Sequence, residues 1–255
     1  MKTAGILTCL ALALPKVALA QGAVLETLEE LKQVSAPASF RGVLPAHVDL
    51  SPKLPPVRGQ GATSTCVSWS ATYAAASFAL RGHGFDAGLR LSPAFTYDQV
   101  ARDPWCRIGT TISAVLNLLR DRGALPIEEF AFDAGWCGRM PTAGELNRAK
   151  QYRIKAWSAF DAAEVDRVKE QLARGVPVIF GTFTTAKLGA LRGDDVLQDD
   201  DVPGEGHAML AVGYDDGRRA FLIQNSFGTG WGSNGYGWFG YEWWKRNVRV
   251  GYVIE

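Results

Sequence analysis

The chain has 255 residues, 47% of them apolar, with 27 basic and 26 acidic side chains and a formal charge of +1. That is enough apolar chain to bury a full core without help from a metal or a partner. Near-neutral charge with no basic run excludes a surface built for nucleic acid or for an anionic membrane.

The first twenty residues, MKTAGILTCLALALPKVALA, place a lysine beside the start, then a short apolar stretch and the small-residue ending Ala18-Leu19-Ala20. They read as a secretory signal peptide cleaved before Gln21, with Pro15-Lys16 interrupting a stretch already too short to span a bilayer. Cys9 stands in poor surroundings for lipidation, and no later segment is long and apolar enough for a membrane anchor. The expectation is a secreted or periplasmic protein. Without Lys2 and Lys16 the balance is 25 basic residues against 26 acidic.

Residues 24–34, VLETLEELKQV, put Val24, Leu25, Leu28 and Leu31 on one helical stripe with acidic residues opposite, which predicts a short amphipathic helix. The Pro-rich passage from Pro37 to Pro56 cannot hold a regular helix and separates that piece from the main body. CVSWSATYAAASFALR, from Cys66 to Arg81, is helical in composition with Gly82 as its cap. Ser92-Pro93 starts a helix through Ala101. Thr111 to Arg122 forms another, closed by Gly123, and its face is Ala114, Val115, Leu118 and Leu119. Thr142 with Glu145, and Asp161 with Glu164, resemble capping boxes for two more. The second half turns to short β-rich runs, VPVIFGTF, HAMLAVGYDD, AFLIQN, YGWFGY and VRVGYVIE, divided by Gly and Asp turns. Helices followed by strands predict an α+β fold with segregated lobes and a cleft between them.

Three cysteines remain after the leader: Cys66, Cys106 and Cys137. An odd count in an oxidising compartment leaves one thiol free. Cys106 and Cys137 flank one predicted helix, which suits a bridge closing a loop of about 30 residues, a constraint worth roughly 3 kcal/mol in the chain-entropy picture. Cys66 is then the free thiol, at a helix start where the dipole and backbone N–H groups favour a thiolate. Alone, it reads as an ordinary buried cysteine, the commoner fate of a lone one. A base for it must come from far along the chain. His47 and His83 sit in Pro- or Gly-rich loops, whereas His207 opens a strand in GEGHAMLAVGYDD. Asn225, in LIQNSFGTGWG, ends the next strand and can orient an imidazole, although an asparagine there is also a common turn residue.

Taken together, QGATSTC, GHAMLAVGY and NSFGTGWGSNGYGWF resemble, in order, three signature segments of the papain family of cysteine peptidases. Cys66 to His207 spans 141 residues, within the expected range of about 130–150, and Cys66 to Asn225 spans 159. Weaker similarity begins near Val43, with LPAHVDL like a mature N-terminus, LSPAFTYDQV like the second helix and CRIGTTISAVLNLL like the segment that usually carries Cys-Asn-Gly-Gly. The resemblance implies a two-lobe fold with a helical left lobe, a barrel-like β-rich right lobe and the active site between. It implies Cys66 as nucleophile, His207 as base and acid, Asn225 as orienter, and Gln60 with the Cys66 N–H as oxyanion donors. It implies substrate contacts at Gly109, Glu205, Gly206, Phe227 and Trp231, with Phe227 also an aromatic cover over the His207–Asn225 contact.

The departures are local. Thr63, Thr65 and Val67 replace the family's extra cysteine, the glycine before the nucleophile and the tryptophan after it, so a Cys106–Cys137 bridge would be a rearranged one. Only Gly109 remains of the two glycines that align substrate. The expected organisation is a signal peptide over 1–20, a short pro-segment over 21–43 that packs on the body or plugs the cleft, and a peptidase domain over 44–255. A monomeric endopeptidase acting on proteins or peptides is the leading expectation, with no cofactor and no metal, since the histidines and cysteines lack zinc-like spacing. The rivals are a catalytically silent binder of peptides or a partner, and an acyl-transferring or deamidating enzyme on the same scaffold. The acidic stretch GDDVLQDDD reads first as a solvated loop, although at the border of the cleft it would favour basic substrates, as would Glu205 in the wall of the main specificity pocket.

Overall fold

A computed structural model describes residues 22–255; the expected signal peptide and Gln21 lie outside the described residues. The helical half is set by local chemistry. Strand β1 (His47–Asp49) and a 3-10 turn precede helix α1 (Cys66–Ser68), which runs on as a π-helical stretch, Trp69–Ala76, and as α2 (Ser77–Gly82). The Ser70 hydroxyl donates to Val67 O (3.1 Å) and the Ser77 hydroxyl to Thr72 O (3.4 Å), back-bonds that compete with the regular ladder. Helix α3 (Pro93–Val100) starts on Ser92, whose side chain accepts the Phe95 N–H, and α4 (Ile112–Asp121) starts on Thr111, whose side chain accepts the Ala114 N–H. Helix α5 (Ala143–Ala149) carries the full Thr142–Glu145 capping box.

The second half builds one sheet. After β2 (Trp157–Asp161) come α6 (Val165–Ala173), β3 (Val178–Phe183), α7 (Ala186–Ala190) and β4 (Val196–Leu197). Then follow β5 (Gly206–Asp215), β6 (Ala220–Gln224), β7 (Tyr236–Gly240), α8 (Tyr241–Asn247) and β8 (Val250–Ile254). Strand order is β2-β8-β3-β5-β6-β7-β4, antiparallel except for β4 beside β7, with β1 added on β5. Along β5, Ala208, Leu210 and Val212 face the helical lobe while Met209 and Ala211 join the aromatic core of Phe180, Phe221, Phe239 and Trp244. A bulge between Ala211 and Gly213 shifts that alternation by one residue, so that Tyr214 continues the aromatic side.

Two expectations are corrected. The Asp161–Glu164 capping box does not form: Asp161 is paired with Val250 as the last residue of β2, its carboxylate accepts the Ala163 N–H (3.0 Å), and α6 begins on Glu164 without a side-chain cap. Residues 24–34 are not a helix. The Ala23 and Val24 N–H groups bond to Gly206 O (3.0 Å) and Thr110 O (2.9 Å), and 28–34 closes only in short i→i+3 turns. The cleft takes the start of the segment and local turns satisfy the rest, so the apolar stripe never becomes a helix face. Val24 and Leu28 are exposed and Leu31 is buried.

Candidate active site

The nucleophile candidate is the first residue of α1, at the end of a loop pinned from three sides. Ser64 N donates to Cys106 O (2.7 Å) and the Ser64 hydroxyl to Arg107 O (3.0 Å), while Thr63 and Thr65 share a hydroxyl contact of 2.7 Å. The bridge joins Cys106 and Cys137, with Cα atoms 5.3 Å apart, and leaves Cys66 free and buried.

His207, on β5, pairs with Thr182 of β3, and Asn225 follows the end of β6. The Asn225 side-chain oxygen accepts the Ser226 N–H (2.7 Å), which fixes the amide's orientation. That same oxygen lies 2.8 Å from His207 Nε2, so Nε2 carries the proton and donates. Nδ1 is left as the basic nitrogen, buried and without a hydrogen-bond partner among the described residues. Phe227 stacks on the imidazole, with centroids 4.6 Å apart, and Trp231 stands edge-on to Phe227 with its indole N–H anchored on Leu188 O (2.8 Å). The expected aromatic cover is therefore two layers deep.

Gln60 is brought to the same place by backbone pairing: its N–H bonds to Ser226 O (2.8 Å), its side-chain oxygen accepts from the Ser226 hydroxyl (2.6 Å) and its Nε2 donates to Thr63 O (2.5 Å). Ser226 thus links the Gln60 and Asn225 side chains. Sequence reasoning missed it, although it follows Asn225 directly in the recognised segment.

Residues 22–26 lie along the cleft over these groups. The Gly22 N–H donates to Cys66 Sγ (3.3 Å), and Gly22 O accepts from Thr110 N (2.7 Å). Gly109 and Gly206 are the walls: a Cβ on Gly109 would stand 2.6 Å from Gly22 O, and one on Gly206 would stand 2.1 Å from Ala23 O. Only a residue without a side chain admits a peptide backbone that close. Leu25 enters a hollow above Gly181 and Ile112. Glu205 is exposed and is absent from the cavity of about 460 Å³ below, whose lining includes Ile112, Gly181, Phe183 and Tyr252. Its main-chain oxygen instead accepts from Thr184 N (2.9 Å). Of the acidic stretch, Asp200 reaches the rim of that cavity, where it binds Arg246 (2.7 Å) and Asn247 (2.7 Å), while Asp199 pairs with Lys187 (3.3 Å).

Under this cover the titrating pair is dry. Burial pushes the Cys66 thiol up to about 11 against the N–H groups of Ala208, Gly22 and Val67, which favour the thiolate. Burial also holds His207 down to about 4, against the Asn225 hydrogen bond. In this covered state both groups are neutral.

A papain family cysteine protease profile matches residues 44–247. Peptidase 1 of Dermatophagoides pteronyssinus is 26% identical over 225 residues, covering 84% of this chain and 67% of that protein. Among solved structures, xylellain, a cysteine protease from Xylella fastidiosa, superposes with a TM-score of 0.82 at 23% identity, covering 92% of this chain and 96% of that one. A digestive procathepsin L 3 of Tenebrio molitor larval midgut gives a TM-score of 0.72 at 19% identity, covering 94% and 78%. The chain belongs to the papain family of cysteine proteases, and its architecture is the two-lobe α+β fold of that family.

Proposed function

We propose that this protein is an exported cysteine endopeptidase made as a covered precursor, with Cys66 as nucleophile and residues 22–42 as a strap over the cleft. Once the strap leaves, water reaches the dyad and the desolvation that keeps both groups neutral falls away. His207 Nδ1 takes the Cys66 proton, and the thiolate forms a bond to the scissile carbonyl carbon. The Cys66 N–H and Gln60 Nε2 receive the oxyanion. Collapse breaks the C–N bond as His207 returns the proton to the leaving amine, and water then cleaves the thioester through the same base.

The observation that carries this reading is the Gly22 N–H on Cys66 Sγ. The strap presents a donor to the sulfur, and its Gly22 carbonyl is held by Thr110 N, so the described backbone nearest Cys66 is bonded to the cleft. A leader over 1–20 and export follow from the composition of that stretch. Among the described residues no helix is long and apolar enough to cross a membrane.

Peptide hydrolysis by the chain after the strap is cut, followed by mass spectrometry, tests the reaction. Cleaved peptides, absent with Cys66→Ala, are expected. Ammonia release without cleavage would move the assignment to deamidation, and binding without either product would make the chain a peptide-binding relative.

A further inference from the structure

Resting on the peptidase reading, we infer that the cleft contains an acid-recognition site formed by Ser113 and Tyr252, which Glu26 fills in the covered state and a substrate glutamate fills in the open one. The Glu26 carboxylate accepts the Ser113 N–H (3.1 Å), the Ser113 hydroxyl and the Tyr252 hydroxyl (2.9 Å). Ser113 is the second residue of α4, so its N–H is one of the donors that a helix start leaves without a partner. Thr111 already caps the Ala114 N–H, and the Glu26 carboxylate satisfies the one before it. An anion is the natural occupant of that position.

Tyr252 is 2% exposed, so its hydroxyl is held in place and aimed at the carboxylate by the strands around it. Three donors converge on one carboxylate, with no cation bonded to it among the described residues, which is recognition by directed hydrogen bonds.

The surroundings favour the same ligand class. The cavity beside this site is lined from the body by Phe183, Arg246, Asn247, Arg249 and Tyr252 among others, and Glu26 is the only carboxylate among the described residues that line it. Arg246 is paired with Asp200, and Arg249 donates to the carbonyls of Lys245 and Arg246 at the end of α8. Both guanidinium groups are thus held in place by other partners, and recognition in this corner falls to the directed donors of Ser113 and Tyr252. When the strap departs it takes the cavity-lining carboxylate with it, leaving three oriented donors. The site is continuous with the path beside Gly109 and Gly206 along which the strap's backbone runs, so a peptide laid in the open cleft passes it. Such a site favours acidic substrates, opposite to the basic ones expected from Glu205 and the acidic stretch.

The experiment uses the full chain with a sequence-specific cleavage site placed in the exposed stretch 41–43, folded intact and then cut. Peptides exchanging Glu, Gln, Leu and Lys at each of four positions on either side of the cleaved bond give kcat/KM. One position is expected to favour Glu over Gln by about tenfold or more, the scale of hydrogen bonds to a charged group. Tyr252→Phe and Ser113→Ala are each expected to reduce that Glu:Gln ratio about tenfold. Cys66 alkylation, followed by intact mass, reports in each variant that the cleft is assembled.

A second readout needs no turnover: a synthetic peptide of residues 22–34 should bind the cut protein about tenfold more tightly than its Glu26→Gln counterpart. Equal affinity would overturn the acid site even if no peptide were cleaved, and cleavage itself is judged separately by the Cys66→Ala control. Hydrolysis with no Glu preference at any position would overturn the substrate assignment and leave Ser113 and Tyr252 as a latch for the strap alone.

Discussion

Asp98 shows how one buried side chain outside the dyad shapes the molecule's response to pH. It sits in α3 with one carboxylate oxygen buried and unpartnered, and burial raises it to about 7 against the Arg139 N–H and guanidinium charge. A carboxyl raised in the fold is stabilising when protonated, and that stability is lost as pH rises from the unfolded value near 4 through about 7. Asp98→Asn, which keeps an acceptor for the Arg139 N–H, should therefore raise the urea midpoint progressively between pH 4 and 7 and hold that gain above 7. A constant difference across this window would show that Asp98 does not carry the proton. At this scale the sequence was uneven as a guide. Cys66, His207, Asn225 and Gln60 each stand in a segment with fixed neighbours, so their meeting was legible despite 141 residues between nucleophile and base. Ser113 and Tyr252 were silent, because a hydroxyl in a helix start and one in a strand acquire a purpose only when Glu26 is placed between them.

Among the elements, legibility followed the range of the forces involved. Ser92, Thr111 and the Thr142–Glu145 pair cap helices within four residues of themselves, and these starts were readable. Asp161 looked like a cap of the same kind but is claimed by the β2–β8 ladder, a partner about ninety residues away. The strap is the clearest case of tertiary override: its helical periodicity is real, yet cleft partners take the backbone of Ala23 and Val24, and Leu25 drops into the hollow at Gly181. Leu25→Ala removes apolar contact from the strap alone. We expect on the order of 1–2 kcal/mol less hold on the cleft and, in the full chain, Cys66 alkylation faster by about five- to thirtyfold. An unchanged rate would mean that Leu25 packs without holding the strap down.

At the scale of the whole molecule the strap is a tether between two faces. Its cleft end is fixed by Cys66, Thr110, Gly206 and Ser113. Beyond Val34 it crosses the sheet edge, where Ala159 N donates to Ser35 O (3.1 Å), and reaches α6, where Arg174 donates to Ala38 O (2.7 Å). Val43 is then 94% exposed, the natural place for a cut that frees the strap while leaving the body intact. The covered state also sets the sign of the nucleophile's pH dependence. With the thiol raised to about 11, its thiolate fraction climbs about tenfold per pH unit through neutrality, whereas an opened dyad regains an ion pair and levels off earlier. The most direct measurement is therefore intact-mass labelling with an epoxysuccinyl thiol reagent at pH 7, on the full chain before and after cutting at 41–43, with Cys66→Ala as control. One label per molecule is expected, at least tenfold faster after the cut and absent from the control. Equal rates before and after the cut, or labelling that survives Cys66→Ala, would contradict that expectation.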